Sequence, residues 1–216
     1  GPSVTTGFKP DFIMIKRTDA TEDWKTIDSR RGFANTLEPN ENIAEETGNN
    51  SNFTFSSTGF QIGDTNGDFN ANGGSYIYWA VAKNVPSNTT LANSFKTVTY
   101  TGNSGTQAIT GLGFKPDMIW FKGRTVAYDH GLYDSVREGT SLIFPDLTNA
   151  ASTVTNGIFS FDSDGVTVGA NNKQNASDSS YVAWAWKAGN TWQSNIDGTI
   201  PSLTNTNTAN GFSIVK

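Results

Sequence analysis

The chain has 216 residues, 15 of them Lys or Arg and 20 Asp or Glu, for a formal net charge of −5; it carries one His and no Cys. That balance gives no general field to hold nucleic acid, and no run of Lys and Arg makes a local one. Without cysteine there is no disulfide framework, no thiolate metal site and no cysteine nucleophile, and no apolar run approaches the roughly 18 residues of a membrane span, so membrane insertion is not expected.

Charged residues make up only 16% of the chain, helix formers are sparse, and Gly, Asn, Ser, Thr and aromatic residues abound. This is the composition of strands and turns, and it predicts an all-β protein. The start shows no signal-peptide pattern. Gly1-Pro2 reads as the scar left when an expression tag is cleaved, so the chain is expected to be a piece of a longer protein.

In chain order, the first predicted element is the apolar strand of GFKPDFIMIK (7 to 16), followed by one ending at Asp28-Ser29. The pair flanking the turn in FSSTGFQIG (55 to 63) comes next, then the aromatic run SYIYWAVA (75 to 82). The series then repeats. GFKPDMIWFK (113 to 122) lies 106 residues after its twin, and the same shift carries Asp28-Ser29 onto Asp134-Ser135 and FSSTGFQIG onto FDSDGVTVG; SYVAWAWK (180 to 187) follows at a shift of 105. A shift held over so long a stretch marks a duplicated unit. Pro10 and Pro116 fit strand starts and Gly59 and Gly165 fit hairpin turns, so the architecture is expected to be a β-sandwich or jelly roll in two tandem units, 3–93 and 94–189. Residues 190–210 read as a polar connector. It leads to GFSIVK (211 to 216), either the opening strand of a third unit or a strand completing the first unit's sheet.

Within the aromatic runs, period-two alternation puts Ile77, Trp79 and Val81 on one face, and Val182, Trp184 and Trp186 on its counterpart. That face is expected to be the core, joined by Trp120. Trp24, Tyr128, Tyr133 and Trp192 sit instead among polar residues. They are the candidates for a saccharide-binding surface, where apolar sugar faces lie on rings while Asn, Asp and Arg take hydroxyls; the alternative is a ring folded over the sandwich edge. His130, the only histidine, falls on Trp24 under the shift. A position that holds Trp in one copy is not preserving an acid–base role, so His130 is read as a ligand contact.

Asp28 and Asp134 recur near Arg31 and Arg137, and Asp11 and Asp117 recur near Lys9 and Lys115. A carboxylate that returns in both copies beside a cation is read as a turn cap or ion pair, although paired acids are also the equipment of a glycosidase. DTNGDFNANG (64 to 73) sets Asp64, Asn66, Asp68 and Asn70 at alternate positions. It lacks the Gly and acid of an EF-hand, which leaves a polar hairpin loop or a calcium site with an irregular cage. No nucleotide-binding glycine motif and no nucleophile elbow is present. Sequons at Asn52, Asn88 and Asn175 matter only in a eukaryotic secretory pathway.

YTGNSGTQAITGLGFKPDMIWFK with YDSVREG, FSFDSDGVTVG and YVAWAWKAG resembles a tandem module of tail-associated structural proteins of tailed bacteriophages, marine ones in particular, and the first half resembles a sister version. FKGRTVAYDH departs from the usual pattern, which carries a longer polar loop there. The resemblance implies a non-enzymatic virion component with no cofactor, in an extracellular particle. Its partners would be other tail subunits and a host-surface glycan or protein, and the full-length protein could be a trimer. Two rival readings are a carbohydrate-binding module of a polysaccharide-degrading enzyme and a glycosidase acting on host envelope polysaccharide.

Overall fold

In a computed structural model of the protein, the described residues are 1–48, 53–63, 65–82, 94–208 and 211–216. The chain is all-β. The first unit runs β1 (Ser3–Thr5), β2 (Pro10–Arg17), β3 (Lys25–Asp28), β4 (Asn35–Thr36), β5 (Glu46–Thr47), β6 (Phe53–Ser56), β7 (Gly59–Ile62), the one-turn helix α1 (Gly67–Asn70) and β8 (Tyr76–Ala82). The second runs β9 (Phe95–Thr101), β10 (Gln107–Ile109), β11 (Met118–Gly123), β12 (Gly131–Asp134), β13 (Ser141–Leu142), β14 (Ser152–Thr153), β15 (Ile158–Asp162), β16 (Gly165–Val168), α2 (Asn172–Asn175) and β17 (Ser180–Trp186).

Each unit is a sandwich of two antiparallel sheets. In the first, the sheet β3-β2-β8 packs on β1-β7-β6; in the second, β12-β11-β17-β9 packs on β10-β16-β15. The cores follow from alternation. Ile13, Ile15 and Ile27 meet Phe53, Phe60, Ile62 and Phe69 in one unit, and Ile119, Phe121, Ala183 and Ala185 meet Ile109, Ile158, Val166 and Val168 in the other. Gly59 and Gly165 each open the second strand of a hairpin. A Cβ on either would stand 1.9 Å from a carbonyl oxygen, that of Val4 or of Ile109, so glycine is required by the close approach of β1 and β10.

The Trp-bearing face does not point into these cores. It joins one unit to the other: Phe12 and Met14 of β2 and Val81 of β8 meet Trp120, Val182, Trp184 and Trp186 in a third cluster between the sheets that hold β2 and β11. Phe12 packs edge-on against Phe95, Trp184 and Trp79. β2 and β11 are therefore apolar on both faces, as strands covered on both sides must be.

Register is conserved between the copies. Met14 pairs with Trp79 across β2 and β8 as Trp120 pairs with Trp184 across β11 and β17. Burial is not conserved, which corrects the expectation of equivalent core faces. Trp184 is 1% exposed, whereas Trp79 is 42% and Ile77 54% exposed. The cause is one strand. β17 is flanked by β11 and β9, while β8 pairs among the described residues with β2 alone.

The expected connector also differs. Residues 192–207 form β18 (Trp192–Asn195) and β19 (Ser202–Asn207), and β20 (Phe212–Val215) pairs with β19 to make a three-stranded meander. The final strand thus neither completes the first unit's sheet nor stands alone. Phe212 still stacks over Trp186 and packs against the cluster between the units.

Candidate functional site

The repeated aspartates hold turns. Asp28 Oδ1 accepts from the amides of Arg30 and Arg31, and Oδ2 accepts from Arg31 Nε at 2.6 Å. Asp134 does the same for Val136, Arg137 and Arg137 Nε. In each copy the serine after this aspartate donates its hydroxyl to the KPD aspartate, Ser29 to Asp11 and Ser135 to Asp117, so the partner of those acids is the serine rather than Lys9 or Lys115.

The predicted calcium residues are otherwise engaged. Asn66 caps α1 by accepting from the Asp68 amide, Asp68 pairs with Lys25 at 3.3 Å, and Asp64 lies outside the described residues. The expected hairpin loop is a helical turn. Among the described residues no group of three His, Cys, Asp or Glu could hold a metal ion. Lys25 also donates to Glu38 and Glu46; burial pulls its pKa down, but these carboxylates hold it above the ordinary value. Of the sequons, Asn52 and Asn88 lie outside the described residues. Asn175 is fully buried, its amide spent on Asn103, Gly105 and Gly169.

The five candidate rings do not form one surface. Tyr133 is fully buried in the second unit's core, where its hydroxyl meets Gln174 Oε1 at 3.3 Å and burial raises its pKa. Its polar neighbours in sequence misled because they alternate off the strand face that β12 turns inward. Trp192 lies on β18, in the meander. Tyr128 is half-buried beneath the Lys173 ammonium, 5.9 Å from its ring centre.

His130 is 1% exposed and so is not a ligand contact. Its Nδ1 accepts from Trp120 Nε1 at 2.8 Å, and its Nε2 faces the Glu41 carbonyl at 3.0 Å. The ring is thus neutral with its proton on Nε2. Burial, reinforced by the nearby Lys122 charge, brings its pKa down to about 3. Lys122 is itself fully buried; its ammonium donates to the carbonyls of Asn42 and Tyr128, and burial lowers its pKa to about 8.

Trp24 lines a cavity. With Met14, Pro39, Asn40, Trp120 and Pro145 it walls an apolar pocket of about 170 Å³. Met14 and Trp120 are equivalent under the 106 shift, as are Pro39 and Pro145, so both units contribute the same two positions. The Trp24 amide donates to Asn40 Oδ1 at 2.9 Å, just as the His130 amide donates to Asp146 Oδ1 at 3.1 Å in the other copy. Asn40 Nδ2 donates in turn to Asp23 at 2.7 Å. Trp24 is therefore held from its backbone, and Trp120 is held by His130. The equivalence of Pro39 with Pro145 was the sequence signal that could have located this pocket.

No helix among the described residues is long and apolar enough to cross a membrane. The family model for a domain of unknown function, DUF7483, matches residues 1–85 and 91–216, and the chain belongs to that family. No curated protein and no solved structure matches it.

Proposed function

We propose that the chain is a non-enzymatic tail or fibre module of a virion that presents the Trp24 pocket to a glycan or protein of the host surface. The observation that carries this reading is the convergence of equivalent residues from both units on one solvent-facing apolar pocket, with a half-buried indole on its wall. An indole beside fixed amide and carboxylate groups suits a saccharide: the ring takes an apolar sugar face, and Asn40 and Asp23 lie within reach of hydroxyls. The resemblance to phage tail modules supplies the setting.

The test is a glycan-array and whole-cell binding screen of the wild-type chain beside Trp24→Ala. Binding lost in the variant with an unchanged melting temperature is the expected outcome. A variant that binds as well as the wild type would refute the site. A second reading, a rigid spacer, is favoured by the apolar cluster that welds the units together; it predicts that neither protein binds host cells.

A further inference from the structure

A second cleft, of about 410 Å³, opens where the Asp28 turn of the first unit faces β9 of the second. Its volume lies within the roughly 300 to 1,000 Å³ of small-molecule sites. Asp11, Ser29 and Arg30 form one wall and Lys96, Thr97 and Thr99 the other. Unlike the Trp24 pocket, it is polar.

Three observations mark it. The first is an arginine left over. Of the five arginines, Arg17, Arg31, Arg124 and Arg137 each pair with a carboxylate, and Arg30 has no ion pair among the described residues. Lys96, opposite, makes none either, although it lies close enough to Asp164 to help hold that carboxyl below its usual range, after the amides of Gly113 and Gly111. The second is a buried hydroxyl. Thr97 is 3% exposed, lines the cleft, and its Oγ1 has no hydrogen-bond partner among the described residues. Buried polar groups are rarely left so, because the hydrogen bonds to water lost on burial go unreplaced.

The third is a contrast between the copies. Asp117 is covered: beyond Ser135, it accepts from the Ala188 amide at 2.9 Å and from Asn205 of the meander at 3.4 Å. Asp11, its counterpart, accepts at its side chain from Ser29 alone among the described residues and borders the cleft.

From these we infer that the cleft binds a saccharide carrying a carboxylate, of the uronic acid class. The guanidinium of Arg30 matches a carboxylate in bidentate geometry and Lys96 adds a second positive charge. Asp11, with an acceptor to spare, and the hydroxyls of Thr97 and Thr99 suit the sugar's hydroxyl groups, each of which both donates and accepts. The inference extends the glycan-display reading to a separate site. It fails separately too, because the Trp24 variant leaves these residues untouched.

The test is NMR titration of the intact chain with D-glucuronate and D-galacturonate, with D-glucose, D-galactose and inorganic phosphate as comparisons. A ligand of this size in a shallow polar cleft is expected to bind with a Kd on the order of 1 mM. At least one uronate should shift the amides of β9 and of the Asp28 turn, and Arg30→Gln should weaken it at least about tenfold. Thr97→Val, nearly isosteric, should weaken it about threefold to fivefold while leaving the melting temperature equal or higher, since the hydroxyl it removes is unpaired. No uronate binding at about 50 mM, roughly fifty times the expected Kd, would overturn the inference. So would uronate binding unchanged in Arg30→Gln, or neutral sugars binding equally well. Phosphate binding as tightly, with no effect of Thr97→Val, would reduce the cleft to a general anion site and overturn the saccharide assignment.

Discussion

The indole nitrogen of Trp184 in the second unit donates to Asp28 Oδ2 in the first at 3.0 Å, and both residues are buried. One carboxylate therefore caps its own turn, pairs with Arg31 and fastens the neighbouring unit. Arg31 completes the arrangement by standing over the Trp184 ring, 5.4 Å from its centre. A carboxylate read as a turn cap in one unit and an indole that alternation assigned to the core of the other share a single interface.

The first prediction concerns the twin aspartates. Asp28→Asn leaves Arg31, whose side chain is fully buried, facing a neutral amide, and disturbs the bond from Trp184. Arg31 keeps Glu45, so the cost is that of a lost charged hydrogen bond and a loosened indole contact, about 2 to 3 kcal/mol. Asp134→Asn weakens a pair whose arginine is partly solvated, and about 1 kcal/mol is expected. Urea denaturation of both variants checks the order; equal losses would show that the contact between units adds nothing.

A second prediction follows from the unequal tryptophans. Trp184→Ala removes a fully buried indole and should cost roughly 3 to 5 kcal/mol. Trp79→Ala, at the matching position, removes a ring that stacks on Trp186 at 5.9 Å but remains substantially exposed, so about 1 to 2 kcal/mol is expected. If the two truncations were equally damaging, β8 would be covered in solution by something that buries Trp79.

Periodicity made the strands legible, but it could not say which face of a strand belongs to which core. In FIMI and MIWF every residue is apolar, and a sheet buried on both sides erases the contrast that identifies an inward face. Small residues would have been the better guide. Ala80, Ala183 and Ala185 pack inside the units, and the indoles fill the gap between units. The Asp-Ser turns were legible because their partners lie within a few residues. The meander was not: apart from Trp192 and Leu203, β18 and β19 are Thr, Asn, Gln and Ser, and their order comes from pairing rather than from an apolar stripe. Trp24 was found by its polar neighbours, while Trp120, the other indole of the pocket, was hidden inside an apolar run.

The third prediction is a pH dependence centred on His130. Its folded pKa of about 3 lies below the ordinary 6.5, so between those values the unfolded chain binds a proton that the folded chain refuses. The stability contributed by the neutral ring is complete above about pH 6.5 and is lost as pH falls towards 3, by on the order of 3 kcal/mol. Protonation would also put a hydrogen on the nitrogen that accepts from Trp120. Asp146, whose carboxyl is raised by burial, takes up a proton more readily when folded and offsets part of the loss. Stability measured from pH 7 to pH 4 should fall less steeply in His130→Gln than in the wild type, and identical slopes would remove His130 from the account.

The last prediction tests whether the two units unfold as one. Glu45, on the segment between β4 and β5, accepts from Arg31 of its own unit at 2.9 Å and from Arg124 of the other at 2.6 and 3.0 Å. Its amide also donates to the Arg124 carbonyl at 2.8 Å. The carboxylate side chain is 4% exposed, so it is a buried junction between two guanidinium groups. Together with the shared aromatic cluster, it should make the units a single cooperative body, with calorimetric and van't Hoff enthalpies that agree. Glu45→Gln removes the carboxylate that the two guanidinium groups share and leaves Arg31 with Asp28 alone, and a loss of about 2 kcal/mol should lower the melting temperature by roughly 4 to 8 °C. Arg124→Met should do less, because Glu45 keeps Arg31 and the Arg124 side chain is partly solvated already. Two resolved transitions in the wild-type chain would mean that each sandwich folds alone and that the interface between them is only a docking of finished parts.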